Sequence, residues 1–355
     1  MTMSLGAKSS MPEAENSKPI VSLFCGAGGL DLGFSQAGFR PVLAVDHDPA
    51  ACRTFEHNHA QCRVLKRDLA TAPRRYIVDR LSELPNYVAP VGVIGGPPCQ
   101  AFSVGNVHKK DDDPRSLLPR HYATHLAVLR KEFDIDFFLF ENVLGLGSKN
   151  HEAFFAELKD LFERAGFSIQ ERILDAQDFG VPQRRKRIFV VGFNRKKHKI
   201  NAFSFPKTVQ HPPKTVKDAI SGIPDPIFFA RNLKPQQIPF HPNHWCMAPR
   251  STRFFNGDLV CSDNGNKGRP FRVLKWNLPS PTVAYGHREV HVHPSGKRRL
   301  SVYEAMLIQG FPHGYTLWGN LSQQIRLVSD AVPPPLGKAL AEEIRKALYV
   351  CPHEK

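Results

Sequence analysis

The sequence predicts an α/β fold, a doubly wound and mostly parallel sheet, with a second, smaller domain that is irregular or β-rich. Three observations carry that prediction. From residue 19 to about 193, short apolar runs of strand length (20–24, 41–45, 91–94, 137–140 and 187–193) alternate with helix-like stretches. Such alternation places parallel strands in one sheet with crossover helices on its faces. Glycine-bearing turns follow two of these runs, Gly26-Ala27-Gly28-Gly29 and Gly95-Gly96-Pro97-Pro98, and turns at strand ends are where α/β proteins hold ligands. Between about residues 194 and 286 the periodicity fails, and proline, asparagine and basic residues rise.

Taken in order, residues 1–18 are polar and expected to be disordered, with no apolar stretch of a secretory signal. The first domain runs over 19–193, the inserted domain over 194–300, and residues 301–355 return to the first. Within the first, residues 151–165 form the clearest amphipathic helix, with Phe154, Phe155, Leu158, Leu161 and Phe162 on one face and Gly166 placed to stop it. A helix over 301–309 opens with Ser301 and has Glu304 three residues on, a capping box. A last helix over 336–348 closes the fold.

At 355 residues and 41% hydrophobic, the chain can bury a large core, and its length favours two domains. Its 48 Lys and Arg against 33 Asp and Glu leave a formal charge of +15, which points to a polyanionic partner, nucleic acid first. An anionic membrane surface is the weaker reading, because no run of about 18 apolar residues and no basic amphipathic helix occurs. The seven cysteines are scattered and form no CxxC pair, so neither a disulfide framework nor a zinc ribbon is expected, and reduced thiols suit the cytoplasm. His241, His244, Cys246 and Cys261 fit no standard metal spacing and read as loop residues.

Five segments carry candidate chemistry. The turn Phe24-Cys25-Gly26-Ala27-Gly28-Gly29 lets backbone approach a ligand at a helix N-terminus, but Asp31 stands where a dinucleotide fingerprint needs its third glycine. Asp46, at the end of the second strand, is suited to a ribose diol, so adenosine binding is expected without NAD. Cys99, on the stiff Pro97-Pro98-Cys99-Gln100 turn, is a nucleophile if nearby positive charge favours its thiolate. Glu141 follows four apolar residues at a strand tip and is a candidate general acid, while Gln183, Arg185 and Arg187 should share one side of a strand and bind an anion or carbonyl.

In this order the segments resemble the DNA (cytosine-5) methyltransferase family of bacterial restriction–modification systems, over nearly the whole chain. Phe24 to Gly29 resembles the S-adenosylmethionine loop, Asp46-His47-Asp48 the ribose and adenine element, and Arg67-Asp68-Leu69 the turn at the adenine amino group. Pro97-Pro98-Cys99-Gln100 and Asp113-Pro114-Arg115-Ser116-Leu117-Leu118 resemble the two ends of the catalytic loop. Glu141-Asn142-Val143, the Gln183 to Arg187 run, Arg299 to Glu304 and Gln309-Gly310-Phe311-Pro312 resemble the later motifs. Two positions depart from the pattern: Ser329-Asp330 stands where Gly-Asn is usual, and Ser116 where glycine is common.

The resemblance implies a Rossmann-like fold that uses S-adenosylmethionine, held by Phe24, Gly26, Gly28, Gly29, Asp46, His47, Asp68, Pro98, Leu118 and Asp330. It implies that Cys99 adds to carbon 6 of a flipped-out cytosine, Glu141 serves ring nitrogen 3, and Arg187, helped by Arg185, meets the carbonyl oxygen or a phosphate. No metal is needed. The loop from about 103 to 118, carrying Lys109, Lys110 and Arg115, would close over the base. Double-stranded DNA is the expected partner, read by the 194–300 domain, with a cognate endonuclease possible and a monomer sufficient. The alternatives are a transfer-RNA methyltransferase, since one branch of the fold family acts there, a non-catalytic DNA-binding protein, and, least favoured, an NAD-dependent oxidoreductase.

Overall fold

The structure is a computed structural model that describes residues 17–85, 87–98, 114–208, 212–234, 237–256, 259, 271–282 and 291–349. Cys99, Cys261, the loop lysines Lys109 and Lys110, and nearly all of the N-terminal segment lie outside the described residues.

Seven strands form the central sheet: β1 (Lys18–Leu23), β2 (Phe39–Asp46), β3 (Arg63–Lys66), β4 (Gly92–Gly95), β5 (Phe137–Val143), β6 (Phe167–Asp175) and β7 (Lys186–Asn194). Their spatial order is β3-β2-β1-β4-β5-β7-β6. Pairs within β3-β2-β1-β4-β5 are parallel, whereas β7 runs antiparallel to both β5 and β6. The order reverses between β1 and β4, so the loops leaving those two strands open a crevice at the carboxyl edge.

Side-chain alternation along the buried strands feeds two layers of helices. Val21, Leu23, Val93, Phe138, Phe140 and Val190 pack with residues of α3 (Tyr76–Ser82), α4 (Leu118–Phe133) and α5 (Glu152–Arg164). Ile20, Ile94, Phe137, Leu139, Phe189 and Val191 face the other way, onto α1 (Gly29–Gln36) and α9 (Pro334–Tyr349). Gly33 permits that second layer to close, because a Cβ there would stand 2.5 Å from the Pro334 carbonyl and the Lys338 amide of α9.

A second core joins what the chain separates. Val216 and Ile220 of α6 (Val216–Ile220), with Ile238, Trp245 and Leu274, pack on Tyr303 and Met306 of α7 (Val302–Ile308), on Leu321 and Ile325 of α8 (Leu321–Asp330), and on Ala50 of α2 (Pro49–Asn58). Described residues of 194–300 are largely irregular, with α6 and two-residue pairings of Ile227–Phe228 with Trp245–Cys246 and of Ser280–Pro281 with Gln183–Arg184. No helix among the described residues is long and apolar enough to cross a membrane.

Several expectations differ in detail. Strand β1 opens at Lys18, within the segment expected to be disordered, because its backbone pairs with Phe39 and donates to the Gly38 carbonyl. Strands β3 and β6 carry charged or exposed side chains at alternate or flanking positions, so no apolar run announces them. The capping box of α7 is present, with Ser301 Oγ accepting from the Glu304 amide and the Glu304 carboxylate accepting from the Ser301 amide. Helix α5 stops at Arg164, just before Gly166 in the left-handed region at φ 98°.

Candidate active site

The crevice is walled on one side by the turn after β1. Phe24, Gly26 and Gly28 hold φ values of 56°, 54° and 75°, so the chain turns sharply and points backbone into the opening. Asp46, at the tip of β2, fixes this turn: its Oδ2 accepts from the Gly26 amide at 2.9 Å, and its Oδ1 accepts from the Asp48 amide at 2.9 Å. Asp48 in turn caps α2 through the Ala50 amide and pairs with Arg326 of α8.

Behind the turn, the Tyr315 hydroxyl donates to the Ala27 carbonyl at 2.5 Å, and His59 Nε2 lies 3.5 Å from the same hydroxyl. Burial pushes His59 down to about 4, which keeps the ring neutral there. A Cβ on Gly28 would stand 2.7 Å from the Tyr315 oxygen, so a glycine is needed for this close approach. Gly29 lies against the Val332 carbonyl in the same way. Beside Gly26, by contrast, an added Cβ would meet nothing within 4 Å, so that flank of the turn is open.

His47 is exposed, and the neighbouring Asp46 carboxylate holds its imidazole above the ordinary value. Asp68 lies after β3, where its Oδ1 accepts from the Ala70 amide, and the Leu69 carbonyl contacts His125 of α4. Pro98 is the last described residue before Cys99, and Leu118 is the first of α4.

On the opposite wall, Glu141 of β5 is buried and its Oε1 lies 3.1 Å from Arg187 Nε on β7. Burial raises the Glu141 carboxyl above the usual range, against the pull of Arg187 and Arg185. Gly96, leaving β4, makes room for this carboxylate: a Cβ there would stand 2.5 Å from Glu141 Oε2. Asn142 holds the following turn, donating from Nδ2 to the Pro97 carbonyl at 3.4 Å while its Oδ1 accepts from the Val143 amide.

Gln183, Arg185 and Arg187 do alternate with the exposed Arg184 and Lys186. Their neighbours nevertheless differ. Arg187 meets Glu141, whereas the fully buried Arg185 donates to the Ser329 and Asp330 carbonyls at 2.7 and 3.2 Å. Gln309 Nε2 takes the next carbonyl, Ala331, at 2.6 Å. Three consecutive carbonyls at the end of α8 are thus tied to the residue just before β7 and to the one just after α7. The Asp330 side chain opens to solvent but is crowded by surrounding protein, which raises its carboxyl although Arg185, Arg326 and Arg187 oppose the shift.

The chain matches the C-5 cytosine-specific DNA methylase family over residues 19–346. It belongs to that family. Among curated relatives, the Type II methyltransferase M.MthTI of Methanothermobacter thermautotrophicus is 35% identical over 93% of this chain and 97% of its own length. Type II methyltransferase M.FnuDI of Fusobacterium nucleatum is 33% identical over 93% of this chain and 94% of its own. A crystal structure described as a prophage-encoded DNA modification methyltransferase (E. coli) superposes with a TM-score of 0.75 at 23% identity, covering 94% of this chain and 99% of that one. At that identity the superposition speaks for the fold. As a methylase of this family, the chain is a DNA cytosine-5 methyltransferase.

Sequence reasoning misses the parts of this candidate site that act through distant partners. Tyr315 meets Ala27 across 288 residues of chain, and Gln309 meets Ala331 between two helices. In the sequence Asn142 stands only as a neighbour of Glu141. An amide at the polar tip of a buried strand is the available signal, since such a group needs a partner.

Proposed function

We propose that this methylase transfers a methyl group from S-adenosylmethionine to carbon 5 of a cytosine flipped out of duplex DNA, at a specific sequence, as the modification enzyme of a type II restriction system. The names of the curated relatives support the last element, and the turn after β1 supports the cofactor. Its open flank at Gly26 and the buried Asp46 carboxylate, whose Oδ2 accepts from the Gly26 amide and has a further lone pair, suit an adenosine with its ribose diol. Phe24, Gly26, Gly28, Gly29, Asp46, His47, Asp68, Pro98, Leu118 and Asp330 would hold the cofactor. When bound, S-adenosylmethionine supplies an electrophilic methyl group on its sulfonium.

Carbon 5 of cytosine is too weak a nucleophile to take that methyl unaided. The Cys99 thiolate adds to carbon 6, and the electron pair displaced from the ring is received at nitrogen 3, where the Glu141 carboxyl donates its proton. Carbon 5 becomes electron-rich and would take the methyl group, the bond pair staying on the cofactor's sulfur as a neutral thioether. A base then removes the carbon 5 proton, the electron pair restores the carbon 5–carbon 6 double bond and expels the Cys99 thiolate, and nitrogen 3 returns its proton to Glu141. Arg187 keeps Glu141 oriented and offers positive charge toward the base carbonyl or a phosphate; Arg185 supports this arrangement from behind. The observation that carries the reading is the buried Glu141–Arg187 pair directly beside Gly96, just ahead of Cys99 in the chain.

Residues of 194–300 would read the target, the protein would act as a monomer in the cytoplasm, and the 103–118 loop would close over the extruded base. Duplex DNA containing 5-fluorocytosine tests the chemistry, because fluorine cannot leave as a proton does and the adduct stalls. A denaturation-resistant protein–DNA complex that needs S-adenosylmethionine and is lost in Cys99→Ala is expected. Equal trapping with Cys99→Ala, or methyl transfer to transfer RNA but not to DNA, would overturn the reading.

A further inference from the structure

The basic excess of the chain is concentrated. Residues 194–300 hold nineteen Lys and Arg against five Asp and Glu. Within them, residues 251–256 form a short turn built for display. Ser251 Oγ accepts from the Arg253 amide at its start. Phe254 is buried with Leu259 and Val292, beside Phe271 and Val273, and the Arg299 guanidinium lies over both the Phe254 and Phe271 rings at 5.7 and 5.0 Å. The next residue, Phe255, is 69% exposed, the most exposed large apolar side chain among the described residues. Arg250 and Arg253 stand exposed around it, Arg253 leaning over the Phe271 ring at 5.0 Å.

The segment that this turn packs on runs on to residues 183–184, just ahead of β7. Val292 bridges Val273 and Arg299, and packs on Phe254. Ser280 pairs with Gln183, and the Thr282 hydroxyl donates to the Arg184 carbonyl at 2.6 Å, immediately before Arg185 and Arg187. An exposed aromatic ring next to a buried, packed one, flanked by cations, matches the chemistry of a stacked polyanion: phosphates for the guanidinia and a base face for the ring.

We infer that the 251–256 turn is a duplex-DNA contact in which Phe255 stacks into the helix as a wedge that favours extrusion of the target base, while Arg250 and Arg253 hold the flanking phosphates. The inference rests on the DNA reading above and adds residues to it. Phe255 is outside the core, so its removal leaves the fold and the cofactor turn intact.

The test compares wild type, Phe255→Ala, Phe255→Trp and Arg250→Ala/Arg253→Ala on a duplex oligonucleotide bearing the sequence methylated in plasmid DNA. The same duplex with a mismatch opposite the target cytosine serves as a pre-weakened substrate. Phe255→Ala should lose about tenfold or more in kcat/KM on the paired duplex, much less on the mismatched one, with unchanged S-adenosylmethionine affinity. Phe255→Trp should restore activity, and the double arginine variant should bind more weakly with a shallower dependence on salt. Wild-type kcat/KM in Phe255→Ala, or an equal loss on paired and mismatched duplexes, would overturn the wedge. Failure of wild type to methylate any DNA would instead overturn the underlying function.

Discussion

Glu141 and Arg187 meet diagonally across an antiparallel ladder: Arg187 pairs with Val143 and Glu141 with Phe189, yet Arg187 Nε reaches Glu141 Oε1 at 3.1 Å. The reversal of β7 makes this possible, because it brings the start of one strand beside the end of its neighbour. An acid whose proton burial favours and a permanent cation therefore share one rim of the crevice.

Glu141→Gln should keep the fold but lower single-turnover methyl transfer by about 10²–10⁴-fold, the range of a lost general acid. Because Arg187 opposes the upward shift of Glu141, Arg187→Ala should move the alkaline limb of the pH–rate profile to higher pH while reducing the rate. Movement of that limb to lower pH would contradict the assigned proton.

Gly96→Ala should disable the enzyme without replacing any charged group. The new methyl carbon would stand 2.5 Å from Glu141 Oε2, so the carboxylate must move. Near-normal melting with a large loss of kcat is expected; normal kcat would show that the carboxylate position is tolerant.

Tyr315→Phe removes the hydroxyl that donates to the Ala27 carbonyl and leaves that acceptor buried without its donor. A cost of about 1–3 kcal/mol in holding the turn is the ordinary magnitude. Titration calorimetry should show S-adenosylmethionine affinity reduced about tenfold, with kcat at saturation nearly unchanged.

Asp31 is buried in α1, and burial pushes its carboxyl up to about 7. A raised folded-state value means stability is greatest below the unfolded value near 4 and is lost as pH rises through about 7. Between pH about 5.5 and 8, Asp31→Asn should therefore gain about 2 kcal/mol relative to wild type by denaturant titration. A pH-independent difference would place the carboxyl's titration elsewhere.

The strands and their end turns are legible because buried parallel strands need unbroken apolar runs, and Val91 to Ile94 followed by Gly95-Gly96 states both run and turn. Glu141 is legible for the same reason, as a charge at the end of such a run. The reversal of β7 is not, since apolar runs carry no direction. Strand β6 hides behind exposed Glu171 and Arg172, although its backbone is fully paired with β7. Arg185 and Arg187 read alike in sequence but diverge in space, because successive positions on one side of a strand meet different elements, the end of α8 and the tip of β5.

Bisulfite sequencing of plasmid DNA from a host with little cytosine methylation, expressing either this chain or Cys99→Ala, tests the central claim most directly. Protected cytosines confined to one short sequence, and absent with Cys99→Ala, are the predicted result. No protected cytosine with the wild-type chain, or the same protection with Cys99→Ala, would contradict it.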